Sequence, residues 1–179
     1  MIENTGAGLF PKDQIAIECD ARGTVSAYTV AHSSGQGHET TFAMVIADTL
    51  GIPLEQVRIH EGVHEKGLIG NHTGGSRSLV GAGSVCKLAA QKLIEHGRSR
   101  AAEALDVEPS QVEYAHGAFH TRGSKKHVRL ADLAQDGPFG TMTEASVGST
   151  FPNGCHIAEV EIDPETGVVA LVEIGRAHV

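Results

Sequence analysis

Apolar and polar positions alternate from Gln14 to Cys19, placing Ile15, Ile17 and Cys19 on one side, and Thr24 to Val30 reads the same way. Asp20-Ala21-Arg22-Gly23 between them is turn chemistry, so the two runs predict a β-hairpin. After Ser33-Ser34-Gly35-Gln36-Gly37-His38 the period lengthens to about 3.6. Phe42, Val45, Ile46 and Leu50 mark one face of a helix that Gly51 ends and Pro53 prevents from continuing. Gln56 to His60 predicts a short strand.

Glu61 to Gly75 is a long glycine-rich loop, and loops of that length usually have work to do. A long helix is expected from about Ser78 to Leu105, with Leu79, Ala82, Cys86, Ala89, Leu93, Gly97, Ala101 and Ala104 as its small-residue stripe. Gly81 and Gly83 in its first turns each cost about 1 kcal/mol relative to alanine, which close packing there would offset. Leu50 to Val57 resembles Leu105 to Val112 in character, each a helix end, a proline-bearing turn and a strand start. Two helix-to-strand units in one α+β domain account for that echo. A second hairpin is expected around His116-Gly117, a helical turn at Leu130 to Leu133, and mostly loop from Asp136 to Gly154. Ala158, Val160 and Ile162 alternate with glutamates, and Asp163 to Gly167 turns the chain into Val168 to Val172.

Composition narrows the class. With 179 residues, 40% hydrophobic and 20% charged, the chain reads as one globular domain. A formal charge of −8 argues against nucleic-acid and anionic-membrane partners. No apolar run approaches a membrane span, and Met1 opens no recognisable signal peptide. Cys19, Cys86 and Cys155 lie far apart with no CxxC, which suits reduced thiols and a cytoplasmic setting.

Two loops could carry chemistry. Gly35-Gln36-Gly37, between a strand and a helix, is a potential anion site, because free N–H groups and the helix dipole would face the ligand. It is neither a full GxGxxG nor a Walker loop, so a tight turn explains it as well on spacing alone. Thr73-Gly74-Gly75-Ser76-Arg77-Ser78 is a second glycine and hydroxyl loop before a helix. There an arginine suits a phosphate or oxyanion, while Ser76 or Ser78 could simply cap the helix. Two such loops suit an extended anionic cofactor better than one small anion. His60, His64 and His72 invite a metal, but no HExxH is present and protein ligation of a metal is not expected.

Ser33-Ser34-Gly35-Gln36-Gly37-His38-Glu39-Thr40-Thr41, then Ala47-Asp48-Thr49-Leu50-Gly51-Ile52-Pro53, resembles the molybdopterin-binding large subunit of the xanthine dehydrogenase family. Gly74-Gly75-Ser76-Arg77-Ser78 resembles that family's next cofactor loop. Phe151-Pro152-Asn153-Gly154, followed by Ala158 to Gly167, is also similar. The resemblance runs over nearly the whole chain. It implies a molybdenum hydroxylase, a class that includes aldehyde oxidases and carbon monoxide dehydrogenases. Such enzymes hydroxylate aldehydes, N-heterocycles or a related carbon centre with water-derived oxygen.

The resemblance implies an α+β fold of β-hairpins and two main helices, an incomplete part of a molybdenum-cofactor-binding domain. It places Gln36 near the molybdenum oxo group, with Gly35, Gly37 and His38 around the pterin or its phosphates. Gly75 would leave room above the metal, and Ser76, Arg77 and Ser78 would hold the dinucleotide or pterin. The pterin dithiolene, not the protein, would hold molybdenum, in the cytosine dinucleotide form of the cofactor. Iron–sulfur clusters and FAD are expected on other subunits or modules, making an iron–sulfur subunit and often a flavin subunit the partners of a small-molecule oxidase.

The family's catalytic glutamate belongs near the subunit's C-terminus, and no residue here matches it, so no catalytic residue is assigned. The opening Ile2-Glu3-Asn4-Thr5-Gly6 resembles mid-subunit sequence. Together these features read as an internal fragment, inactive by itself, whose natural N-terminus is missing, which leaves periplasmic export open. In such a fragment Ile15, Ile17, Val160 and Ile162 are expected to lack apolar cover. Residues 1–172 are expected to form the partial domain. Residues 173–179, Glu173 to Val179, are expected to break the strand pattern and can be back-translated as GAGATCGGAAGAGCACACGTC, which contains a common sequencing adapter. They are therefore expected to be an adapter read-through tail. Two other readings compete: a stand-alone α+β module binding a phosphorylated ligand through both loops, and an interaction domain whose glycines are only turns. The first predicts cofactor only in the full subunit, the second a folded monomer that binds nucleotide alone, and the third neither ligand.

Overall fold

The computed structural model describes residues 2, 4–6 and 10–178; Glu3 of the opening stretch and Val179 of the tail lie outside them. The first hairpin forms as its alternation predicts, with β1 (Asp13–Cys19) antiparallel to β2 (Val25–Thr29). Helix α1 (His38–Leu50) then crosses to β3 (Val57–Glu61), which lies parallel to β2. Gly51 ends α1 in a left-handed conformation, φ 62°, its N–H returning to the carbonyls of Ala47 and Asp48. A short 3-10 turn at Leu54–Gln56 leads into β3.

The second unit repeats this plan. Helix α2 (Ser84–Leu105) ends on left-handed Asp106, φ 56°, and a 3-10 turn at Pro109–Gln111 leads into β4 (Val112–Ala115). A tight turn at His116-Gly117 returns the chain as β5 (Ala118–Thr121), and β6 (His127–Arg129) completes a three-stranded antiparallel sheet. Tyr114 ties that sheet to the first unit by donating its hydroxyl to the Leu50 carbonyl, 2.9 Å away. Leu130–Ala134 forms a 3-10 turn.

The structure corrects several expectations. The stretch from Asp136 to Gly154 is not mostly loop, because β7 (Phe139–Ala145) pairs along the whole of β1 and completes a sheet of order β3-β2-β1-β7. Its threonines and Gly140 hid it. Gly140 is needed because a side chain there would run into the Ile17 carbonyl. The long helix does not begin regularly at Ser78, since Leu79–Gly83 forms a π-helical turn before α2. Leu79 and Ala104 fall off the stripe into solvent, and Val85, Ala90, Ala102 and Leu105 join the buried face. Glu173 to His178 does not break the strand pattern, because β8 (Gly154–Ile162) pairs with β9 (Val169–His178) through that segment.

One core lies between the four-stranded sheet and the two helices. Ile15, Ile17, Cys19, Val25 and Ala27 face Phe42, Ile46, Leu50, Val85, Cys86, Ala89 and Leu93. Ile15 and Ile17 are thus 0% and 1% exposed, contrary to the expectation that they lack cover. Burial raises the Cys86 thiol to about 12, so it packs as an apolar side chain. Val160 and Ile162 do lie open. On the β8–β9 hairpin a bulge leaves Val172 unpaired and returns Ile174 to the face shared by Ala158, Val160, Ile162, Val169 and Leu171. All six of these side chains are exposed.

Gly97 is where α2 meets the Phe119 ring, and an added Cβ would overlap it. Gly97→Ala should therefore lower stability to urea by about 1–3 kcal/mol despite alanine's better helix propensity. Pairing it with Phe119→Leu should recover part of the loss. A stability change within about 0.5 kcal/mol for the single variant would show that the ring swings aside freely.

Candidate cofactor-binding site

The end of β2 delivers His32 to Gly37, and α1 starts immediately after. Gly35 and Gly37 have φ of 98° and 76°, conformations that side-chain-bearing residues avoid. A Cβ on either would meet nothing within 4 Å, so these glycines border open space. Gln36 is exposed and folds back on its own loop, accepting from the Ser34 N–H and donating to the His32 carbonyl, 3.3 Å away. The carboxamide keeps a second N–H for another acceptor. The Gly37 carbonyl takes the N–H groups of Thr40 and Thr41, and no side chain caps α1. His38 is buried and stacked on Phe42 at 4.6 Å, with Nδ1 lacking a hydrogen-bond partner.

The second loop is built by a group that sequence reading missed. Asp13, the first residue of β1, is buried and forms a two-pronged ion pair with Arg77. Its Oδ2 lies 2.6 Å from one terminal guanidinium nitrogen and its Oδ1 3.3 Å from the other. Oδ1 also accepts from the Asn71 backbone N–H at 2.8 Å and from its amide at 3.2 Å. Asn71 in turn exchanges hydrogen bonds with the Phe10 backbone. Arg77 therefore points inward, its Nε buried and unpartnered. Burial pushes the Asp13 pKa up, but the bonds from Arg77 and Asn71 outweigh it and hold the carboxyl below its ordinary value.

Gly75 and Ser76 are successive left-handed residues, φ 59° and 50°. Ser76 pays about 1–2 kcal/mol for that conformation, a strain that clusters at functional sites. Ser78 does not cap the helix; its hydroxyl lies 3.4 Å from that of Thr73.

The loops meet. Thr73 donates its hydroxyl to the same His32 carbonyl that receives Gln36. A carboxylate secures the first loop, as Glu61 at the end of β3 accepts from the Ser33 N–H at 2.7 Å. Glu61 Oε1 is buried and unpartnered, like His38 Nδ1 and Arg77 Nε. The sequence marks Thr73 only as part of the second loop and Glu61 only as the start of the long one, with no sign that either reaches the first loop. Asp13 left one signal, a charge on the strand face otherwise occupied by Ile15, Ile17 and Cys19. The three histidines weighed for a metal lie apart in role: His60 stacks on Tyr28 at 4.8 Å, while His64 and His72 are exposed.

Open space beside left-handed glycines, an uncapped helix start and the spare N–H of the Gln36 amide fit an anionic cofactor with many acceptors. Comparison with known proteins agrees. The chain belongs to the molybdopterin cofactor-binding domain family, whose model matches residues 1–178. It is 31% identical to the nicotine 6-hydroxylase large subunit of Paenarthrobacter nicotinovorans, covering 97% of this chain and 23% of that one. It is 32% identical to the carbon monoxide dehydrogenase large chain of Hydrogenophaga pseudoflava, over 93% of this chain and 22% of that one. The Cu,Mo-CO dehydrogenase crystal structure superposes with a TM-score of 0.85 at 29% identity, over 98% of this chain and 25% of that one. For quinoline 2-oxidoreductase of Pseudomonas putida 86 the TM-score is 0.81 at 27% identity, over 99% and 26%. The chain thus spans about a quarter of the length of these relatives.

The depressed Asp13 pKa sets a pH dependence. Its contribution is complete above the unfolded value, near 4, and is lost as pH falls through the lower folded value. Asp13→Asn should remove that acid-sensitive component. At pH 7 it should cost about 3–5 kcal/mol, because Arg77 stays charged and buried without its partner. Urea titrations from pH 7 down to about 3 check both; identical acid sensitivity in the two proteins would contradict the assignment.

Proposed function

We propose that this chain grips molybdopterin within the large subunit of a molybdenum hydroxylase. The supporting observation is the convergence of both glycine loops on the His32 carbonyl, which makes them one surface. Gly35, Gly37 and Gly75 let the cofactor approach the backbone. Gln36 offers its second amide N–H towards the metal end, and His38, stacked on Phe42, backs the loop against the core. Ser76 and Ser78 supply hydroxyls, while Arg77 contributes its backbone, its side chain being turned inward and held by Asp13. When bound, the group supplies oxidation of a carbon centre with oxygen drawn from water. The chain's own residues bind it, orient it and fix its hydrogen bonds.

On this reading the substrate is an aldehyde, an N-heterocycle or a related carbon centre, and the cofactor is the cytosine dinucleotide form. Electrons leave through an iron–sulfur subunit, often with a flavin subunit, in the cytoplasm. The catalytic glutamate lies elsewhere in the large subunit, and this chain alone turns nothing over. Among the described residues no helix is long and apolar enough to cross a membrane. The adapter origin of residues 173–179 is likewise a proposal, decided by the source codons: any other codon choice removes it.

The test is a full large subunit carrying this segment, made with cofactor synthesis intact. Molybdenum and pterin should copurify in stoichiometric amounts. Gln36→Ala should keep both while kcat falls about a hundredfold or more, the scale of losing one preorganised donor. An unchanged kcat would place Gln36 outside the site. Nucleotide bound by this chain alone, without molybdenum, would favour the stand-alone phosphate-binding module instead.

A further inference from the structure

Asp13 sits on β1, yet its carboxylate grips both ends of the second loop. It holds Asn71 before the loop and Arg77 after it, closing the five residues His72 to Ser76 into a fixed arch. The surroundings are shaped to admit that carboxylate. A Cβ on Gly81 would come within 2.7 Å of Oδ2, and one on Gly70 within 3.2 Å of Oδ1. The π-helical turn at Leu79–Gly83 lies beside it, the Gly81 N–H reaching back to the Arg77 carbonyl at 2.6 Å. From the arch, Thr73 reaches His32 and hence the loop of Gln36.

We propose that Asp13 is a positioning residue for both cofactor loops, setting the second through Arg77 and Asn71 and the first through Thr73. The inference rests on the cofactor reading above but makes a separate claim. Asp13 need not touch the cofactor. Its effect passes through a closed arch and one shared carbonyl, so loop order and cofactor retention should fall together when the grip is released.

Two variants separate this from general destabilisation. Asp13→Asn releases the arch, and Thr73→Val cuts only its link to the first loop while leaving the buried ion pair intact. Gly97→Ala serves as a lesion remote from the loops. Hydrogen–deuterium exchange on this chain should show faster exchange at residues 33–37 and 71–81 in Asp13→Asn. Thr73→Val should show it at 33–37 alone, and Gly97→Ala at neither. In the full large subunit, Asp13→Asn should retain about tenfold less molybdenum per chain, the usual scale for a supporting residue behind a metal site. Thr73→Val should lose less, and Gly97→Ala should keep wild-type content.

Unchanged exchange in both loop variants would overturn the proposal. So would molybdenum loss in Asp13→Asn no greater than in Gly97→Ala. Should Asp13→Asn fail to fold, Thr73→Val decides: wild-type exchange at 33–37 rejects the link. A wild-type large subunit without molybdenum would defeat the cofactor reading, while the exchange pattern would still judge the clamp.

Discussion

Asp13 and Arg77 lie 2.6 Å apart at the junction of sheet, loop and helix, and most of the site depends on that pair. Taking two charges out of water costs several kcal/mol each, on the order of what their attraction returns. The pair's distinctive contribution is geometric. A guanidinium fork and a carboxylate match in only a few orientations, and the second carboxylate lone pairs are spent on Asn71. The strand, the loop and the helix start are therefore fixed by one group, and Gly70 and Gly81 keep the room that group needs.

From that junction, order passes outward. The arch presents Gly75 and Ser76 in left-handed conformations and carries Thr73 to the His32 carbonyl, where Gln36 also arrives. Glu61 secures the same loop from β3. Two carboxylates, Asp13 buried and Glu61 half-buried, thus stand behind two glycine loops. On the proposed function, this arrangement reconciles backbone that must stay open to a ligand with backbone that must not wander. Loop backbones with this much glycine would otherwise lose considerable conformational entropy on each binding event.

Much of the fold was legible in the sequence because the relevant signals are local. Gly51 and Pro53 mark a helix end, the Leu50 to Val57 echo marks a repeated helix-to-strand unit, and alternation marks β1 and β2. The turns at Gly35 and Gly75 were legible for the same reason, since clustered glycine marks backbone in left-handed conformations. What stayed hidden depends on distant partners. β7 carries little apolar surface and exists because β1 supplies its hydrogen bonds. The inward turn of Arg77 requires Asp13, 64 residues away. Cationic side chains before a helix look alike in sequence whether they face a phosphate or a buried carboxylate. The π-helical turn likewise follows from tertiary crowding around Gly81, which no period in the sequence encodes.

If both glycine loops form one surface for a single cofactor, a crystal structure of the cofactor-loaded large subunit carrying this segment will show it. Continuous cofactor density is expected within hydrogen-bonding reach of both Gly35 to His38 and Gly75 to Ser78, with Arg77 still paired to Asp13. Density that touches only one of the two loops, or an Arg77 swung away from Asp13 onto a phosphate, would contradict it.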